Sequence, residues 1–104
     1  MNVLQDTFTG RGSQKGWVFN KIKREGNVAI YSKQEPEIST TYYETVKINV
    51  HNGYTIGGVK FPPGETYPGD SLFGITGWCC NSLEKAEQIF NELIQHEQSK
   101  NQNR

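Results

Sequence analysis

Cysteine and histidine are scarce in this chain of 104 residues. The two cysteines, Cys79 and Cys80, are adjacent, and neighbouring side chains on a strand point to opposite faces of a sheet. The two histidines, His51 and His96, stand at spacings unlike those of any zinc signature. We therefore expect no metal site and no cofactor, and we expect at least one cysteine to pack as a small buried hydrophobe.

Long apolar runs are also absent. No run approaches the ~20 residues that a helix needs to cross a bilayer. The N-terminal residues lack the charged and then apolar pattern of a signal peptide. Together with the single pair of cysteines, these absences predict a cytoplasmic protein that has no membrane partner.

Motifs of catalysis and phosphate binding are missing too. Gly10, Gly12 and Gly16 have a spacing one residue too long for the dinucleotide fingerprint, and they precede a strand-like segment instead of following one. No Gly-Lys-Ser or Gly-Lys-Thr occurs, so the segment is not a P-loop. The pattern favours a binding protein over an enzyme, and an enzyme or small-molecule-binding protein of unknown type is kept as an alternative.

The densest apolar signal lies in residues 72–94. Residues 72–80 form an apolar run of strand length. Asn81 then has the chemistry of a helix N-cap, with Glu84 three positions on as its reciprocal partner. The helix is predicted to fray at residues 95–98, where its apolar stripe ends. That stripe consists of Leu83, Ala86, Phe90, Leu93 and Ile94.

Residues 42–50 alternate between apolar and polar side chains, which predicts a long strand. Asn52-Gly53 follows at once, and this dipeptide accepts positive φ at both positions. The sequence therefore predicts a hairpin at Asn52-Gly53, in which the next three residues pair back on the long strand, and a further turn at Gly57-Gly58 before residues 59–61.

Two further strand-like segments, residues 17–23 and 28–32, precede the long strand. The order of elements predicts an α+β fold, an antiparallel β-sheet of about 4–6 strands with one C-terminal amphipathic helix packed on one face. The predicted domain covers residues 17–97. It follows a flexible or turn-rich lead-in, residues 1–16, and precedes a disordered tail, residues 98–104.

Formal charges balance over the whole chain but not along it. The first 33 residues hold six basic and two acidic side chains, a surplus of four positive charges. A basic segment is compatible with an anionic partner, which makes nucleic-acid binding an alternative function. The candidate contacts for it are Arg11, Lys15, Lys21, Lys23 and Arg24.

Aromatic residues give the other functional signal. Alternation places Tyr43 on the polar face of the long strand together with Lys47, and Tyr67 lies in a proline-bearing loop. Aromatic rings beside cations on an exposed surface bind peptides or stack on bases. We therefore predict that Tyr43, Lys47 and Tyr67 are exposed and contact a partner.

Four segments carry a resemblance to a known group of proteins: FTGRGSQKGWVF, NVAIY, YYETVKI and YPGDSLFGITGWCCNSLEKAEQIFNEL. In this order they resemble small proteins encoded by tailed bacteriophages and related prophages. A looser likeness exists to domains named for a Trp-Gly-Arg motif, with Phe73-Gly74-Ile75 in a similar place. The first resemblance implies a phage accessory protein made in a bacterial cytoplasm, which modulates host machinery or defence.

These observations lead to one expected function. We expect a small non-enzymatic binding module that engages a host or phage protein through the exposed sheet face and the loops. Since a small sheet with free edges pairs readily with its twin, a homo-oligomer is a further alternative.

Overall fold

The computed structural model describes residues 3–10, 14–35, 37–69 and 73–102, with side chains as far as residue 97. Nine strands and one helix lie in this part of the chain. The strands are β1 Thr7–Thr9, β2 Val18–Glu25, β3 Val28–Gln34, β4 Thr41–Lys47, β5 Asn49–His51, β6 Tyr54–Ile56, β7 Val59–Phe61, β8 Gly64–Thr66 and β9 Gly77–Cys80, and the helix is α1 Leu83–Gln102.

The main sheet has five strands in the order β1-β2-β3-β4-β9. All four neighbouring pairs are antiparallel, and the first three follow the order of the chain. Helix α1 packs against β3, β4 and β9. The predicted α+β fold, an antiparallel sheet with one C-terminal helix on a face, is confirmed.

Helix α1 begins one residue later than the sequence predicts. The amide of Lys85 donates a hydrogen bond of 3.2 Å to Ser82 Oγ, so Ser82 is the N-cap and the prediction of Asn81 is wrong. The first amides of a helix have no acceptor within the helix. The hydroxyl of Ser82 supplies an acceptor for the third of them, the amide of Lys85. The helix also continues to Gln102, past its predicted end.

The helix covers one face of the sheet through the predicted stripe. Ala86 and Phe90 are buried, and Leu83, Leu93 and Ile94 pack around them. The sheet contributes Val28, Ile30 and Cys80 to this helix-side core. Apolar burial of this kind supplies most of the stability of a single amphipathic helix.

The opposite face of the sheet is covered as well, which the sequence did not lead us to expect. Its core consists of Phe19, Ala29, Tyr31, Val46 and Ile48. Leu4 from the N-terminal segment, Phe8 of β1, and Tyr67 and Phe73 from the chain after β8 pack against these residues. The prediction that this face is free for a partner is wrong, because Leu4, Tyr67 and Phe73 cover it.

Strand β2 contains a bulge that sorts its charged residues between the two faces. Lys21 is opposite Tyr31 and Lys23 is opposite Ile30, so Ile22 is the extra residue. Because of this insertion Lys23 faces the helix, whereas its neighbour Arg24 faces the other side with Ala29.

Strands β5 to β8 form a separate projection, residues 49–66, which we call the arm. Strand β5 pairs with β8, and β6 pairs with β7. The chain reverses at Gly57-Gly58, whose φ angles are 56° and 80°. A type I′ hairpin turn requires a positive φ angle at both central residues, and the φ angle of Asn52 is not positive. The predicted reversal at Asn52-Gly53 is therefore wrong, and residues 54–56 pair with β7 instead of with the strand that precedes the dipeptide.

The starts of the sheet and of its last strand also differ from the prediction. Strand β1 pairs with β2, so the sheet begins before the predicted start at residue 17. Strand β9 is only four residues long, because Gly74 to Thr76 form a turn in which Ile75 is exposed. Leu72, the predicted start of that strand, lies outside the described residues.

Candidate functional site

The end of the arm carries an exposed apolar surface. Tyr54 is opposite Phe61 and Ile56 is opposite Val59, so these four side chains share one face of the β6–β7 ribbon. Their exposed fractions are 45% for Tyr54, 65% for Ile56, 57% for Val59 and 42% for Phe61. We call this surface the apolar tip face.

The aromatic members of the tip are held against one another. The rings of Tyr54 and Phe61 stack with centroids 4.9 Å apart, and the ring of His51 lies 5.1 Å from that of Tyr54. The other side of the ribbon carries Thr55 opposite Lys60. The tip is therefore a two-sided element with one apolar and one polar face.

The base of the arm is fixed to the main sheet by Glu65 of β8. Its carboxylate accepts two hydrogen bonds of 2.7 Å from the guanidinium of Arg24 on β2, and one of 2.9 Å from the amide of Leu4. The hydrogen bonds from Arg24 and from the Leu4 amide hold the pKa of Glu65 at about 2, well below its ordinary value of 4.5. One side chain therefore joins the arm, the sheet and the N-terminal segment.

A second polar group is the carboxylate of Glu44, on the sheet face opposite the helix and next to Tyr67 from the chain after β8. The carboxylate of Glu44, 4% exposed, accepts a hydrogen bond of 2.7 Å from the Tyr67 hydroxyl and one of 3.3 Å from Lys33 Nζ. Burial, with the negative charge of Glu44 and the hydrogen bond to it, raises the pKa of Tyr67 far above its ordinary value of 10. The hydroxyl therefore remains a donor, and the carboxylate is held by two partners.

Aromatic rings surround this polar group. The ring of Tyr67 lies 5.3 to 5.4 Å from those of Phe8, Phe19 and Tyr31, and Phe8 stacks on Phe19 at 4.9 Å. Beside them is a cavity of about 570 Å³. Its volume lies in the range of pockets that hold small molecules.

The two cysteines separate as expected. Cys80 is buried in the helix-side core, whereas Cys79 is exposed and lies opposite Glu44. Burial, and for Cys79 the charge of Glu44, raises the pKa of each thiol. Neither cysteine has the lowered pKa of a reactive nucleophile.

The three residues predicted to contact a partner do not form one exposed surface. Tyr43 is half-buried against the helix-side core. Lys47 forms an ion pair of 3.1 Å with Glu97 of the helix. Tyr67 is packed in the aromatic cluster, so its predicted exposure is wrong. Their role in partner binding stays a prediction, without the shared exposed face on which we based it.

The predicted nucleic-acid contacts are spread over the molecule. Lys21 pairs with Asp6 at 2.7 Å on one side, and Lys23 pairs with Glu87 at 3.5 Å on the helix side. Arg24 is occupied by Glu65, and Lys15 is exposed. Arg11 lies outside the described residues. Acidic partners thus offset much of the basic surplus that the sequence indicates.

Among residues 3–10, 14–35, 37–69 and 73–102, no three His, Cys, Asp or Glu side chains lie close enough together to hold a metal ion. No helix in the same ranges combines the length and the apolar character that crossing a membrane requires.

The apolar tip face was not predicted, although the sequence contains a signal for it. The letters YTI-GG-VKF place two apolar-polar-apolar triplets around a pair of glycines. This is a pattern of a tight hairpin with one apolar face. The turn at Gly57-Gly58 was predicted, but the reversal assigned to Asn52-Gly53 paired residues 54–56 with the long strand instead of with residues 59–61.

Comparison with protein-family models, with curated proteins and with solved structures found no match to this chain. Function must therefore be argued from the site itself.

Proposed function

We propose that this chain is a non-enzymatic protein-binding module whose contact surface is the apolar tip face. The observation that supports the proposal is the exposure of four large apolar side chains on one face of a ribbon that pairs with no other described strand. Contiguous exposed apolar surface of this kind marks interaction sites. Tyr54 adds an aromatic anchor, a residue type enriched at the energetic centres of interfaces.

The anchoring of the arm favours this role. The bonds of Glu65 to Arg24 and to the Leu4 amide fix the base, and the pairing of β6 with β7 and the stacked rings of Tyr54 and Phe61 order the far end. A preordered binding element loses less conformational entropy when it docks.

The chemistry of the tip defines the partner. A partner protein needs an apolar groove wide enough for a two-stranded ribbon, with water or polar groups opposite Thr55 and Lys60. A host or phage protein in a bacterial cytoplasm is the partner that the sequence resemblance suggests. Nucleic acid is less favoured, because Lys21, Lys23 and Arg24 are paired with carboxylates.

Site-specific photo-crosslinking in the cells that produce the protein tests the proposal. A benzophenone amino acid replaces Ile56, on the apolar tip face, or Thr55, on the opposite face of the same strand. We expect covalent adducts from position 56 and few from position 55. Equal adducts from both positions would contradict a role of the apolar face.

The adduct is then identified by mass spectrometry and its affinity is measured with purified proteins. We expect Phe61→Ala to weaken binding by tenfold or more, the usual loss at an interface anchor, and Thr55→Ala to change it less than twofold. An adduct between two copies of this chain would assign the tip to self-association, and sedimentation at several concentrations would then show the oligomer. A gel shift at low salt tests the nucleic-acid alternative, which predicts retardation that falls steeply with added salt.

A further inference from the structure

The cavity beside the aromatic cluster is a second site, separate from the apolar tip face. It lies between the sheet face opposite the helix, the N-terminal segment, residues 65–69 and Phe73. Its volume is about 570 Å³. Small-molecule sites are mostly apolar concavities of this size with a few convergent polar groups.

The walls of the cavity are largely apolar. Phe8, Phe19, Tyr67 and Phe73 contribute aromatic rings, and Leu4 adds an aliphatic side chain. Three of the rings are fixed by their mutual contacts, with Tyr67 at 5.3 Å from Phe8 and 5.4 Å from Phe19. These surfaces suit a flat apolar body.

Six residues with polar side chains line the cavity: Thr9, Gln14, Glu44, Glu65, Thr66 and Tyr67. The carboxylates of Glu44 and Glu65 are hydrogen-bond acceptors, and the Tyr67 hydroxyl already donates to Glu44. The cations that pair with the two carboxylates, Lys33 and Arg24, do not line it. No other lysine or arginine in the described parts of the chain does so.

Among the lining residues, Gln14 gives the strongest indication of a ligand. Its Oε1 atom is buried and has no hydrogen-bond partner. A buried acceptor without a partner is costly, and native proteins rarely leave one. An N–H donor placed in the cavity next to Gln14 would satisfy it.

From this arrangement we infer that the cavity binds a small aromatic molecule that carries N–H donors, of the class of aromatic amines. The rings hold the flat body, and Gln14 and the carboxylates accept the N–H bonds. The cations paired with the two carboxylates do not line the cavity, so an anionic ligand of the same shape meets acceptors and no cation there and should bind more weakly. The lining residues do not include the four residues of the apolar tip face.

The test uses tryptamine as the probe and indole-3-propionate as its anionic counterpart, each titrated into the ¹⁵N-labelled full chain. We expect tryptamine to shift the amide signals of Gly10, Thr66 and Gly69 saturably, and indole-3-propionate to bind at least tenfold more weakly. Absence of a saturable shift with tryptamine, or equal binding of the two compounds, overturns the inference.

A variant pair examines the role of Gln14. Gln14→Leu keeps the approximate size of the side chain and removes the acceptor, so tryptamine affinity should fall about fivefold, the worth of one hydrogen bond. Gln88→Leu, on the exposed side of the helix, is the matched control and should leave the affinity unchanged. An unchanged affinity in Gln14→Leu overturns the assignment of Gln14 as the acceptor, while the comparison of the two compounds tests the site even if this variant does not fold.

Discussion

The guanidinium of Arg24 and the carboxylate of Glu65 are joined by two hydrogen bonds of 2.7 Å, although 41 residues separate them in the chain. Arg24 belongs to the main sheet and Glu65 to the arm, and their side chains are only 19% and 8% exposed. A two-point contact of planar groups fixes orientation as well as distance. This pair therefore determines how the arm leaves the sheet.

The first prediction concerns the pH dependence of this pair. The folded pKa of Glu65, about 2, is lower than its ordinary value of 4.5, so the carboxylate contributes stability above pH 4.5. That contribution is lost as the pH falls from 4.5 through 2. We expect Glu65→Gln to lower the free energy of unfolding by about 1–3 kcal/mol at pH 7, between the values for exposed and buried pairs.

Urea denaturation at pH 7, 4.5 and 2.5 measures this effect. The difference between the wild type and Glu65→Gln should shrink from pH 4.5 to pH 2.5. Glu25→Gln, at an exposed position at the end of β2, is the control and should change stability little. A constant difference between the wild type and Glu65→Gln at all three pH values would contradict the prediction.

The second prediction tests the packing of the helix. Phe90 is buried between helix and sheet, and Lys23 Nζ lies 4.5 Å from its ring centroid. We expect Phe90→Ala to lower the free energy of unfolding by about 3–5 kcal/mol, because it removes a large buried ring and leaves a cavity. Gln88→Ala, on the exposed side, should change it by less than about 0.5 kcal/mol. Equal urea midpoints for the two variants would argue against the helix-side core.

The third prediction places the reversal of the arm at Gly57-Gly58. Since Gly58 has a φ of 80°, Gly58→Val should destabilise the tip by about 1–2 kcal/mol, the cost of a left-handed conformation for a residue with a Cβ atom. Gly57→Asn should be tolerated, because Asn-Gly suits a turn with two positive φ angles.

Nuclear Overhauser effects between the rings of Tyr54 and Phe61 report on the tip, since the centroids are 4.9 Å apart. We expect them to weaken in Gly58→Val and to persist in Gly57→Asn and in Asn52→Ala. Loss of these effects in Asn52→Ala alone would place the reversal at Asn52-Gly53 instead.

The fourth prediction concerns the hydroxyl of Tyr67. Tyr67→Phe removes the donor at 2.7 Å from the buried carboxylate of Glu44, so the free energy of unfolding should fall by about 1.5–3 kcal/mol, as for a hydrogen bond to a charged group. A variant as stable as the wild type would show that the bond contributes nothing net.

The same tyrosine predicts a loss of stability in alkali. The folded pKa of Tyr67 lies above its ordinary value of 10 because the ring is buried beside Glu44. The unfolded chain therefore releases this proton first, and the contribution of Tyr67 to stability is lost as the pH rises above about 10. Absorbance at 295 nm near pH 10.5 should be the same for the folded wild type and for Tyr67→Phe, and an additional ionising tyrosine in the wild type would contradict this.

Part of the architecture could be predicted from local patterns. The stripe that includes Ala86 and Phe90 defines the buried side of the helix, because residues three and four apart share a face wherever a helix forms. Alternation in β4 likewise assigned Tyr43 and Lys47 to one face and Val46 to the other. The structure confirms these assignments. They could be made from the sequence because alternation along a strand depends only on backbone geometry.

What covers each face could not be predicted. Alternation shows that Tyr43 and Val46 point in opposite directions, but both faces of a central strand are buried when two layers pack on it. The helix lies on the Tyr43 side, and the other side is covered by Phe8 and Tyr67, which are 59 positions apart in the chain. Such long-range packing leaves no local signal, and the cavity beside it could not be foreseen for the same reason.

The turn of the arm shows how competing local signals are resolved. Asn52-Gly53 has the better turn chemistry, but a two-residue reversal there would pair residues 54–56 with β5. Strand β5 instead pairs with β8, with Val50 opposite Glu65 and His51 opposite Gly64. Gly57-Gly58 therefore makes the turn, and the four apolar side chains of the tip stay exposed.

The bulge at Ile22 has a consequence for insertions and deletions. Ile22 is the one residue of β2 without a counterpart in β3, between the pairs Lys21–Tyr31 and Lys23–Ile30. A chain shortened by this residue would keep Lys23 toward Glu87 and Arg24 toward Glu65, because the remaining residues already alternate without a gap. Deletion of one residue within the regular ladder of β3 would move the side chains of the rest of that strand to the opposite face of the sheet. Ile22 is thus the position of the main sheet at which the deletion of one residue should be tolerated.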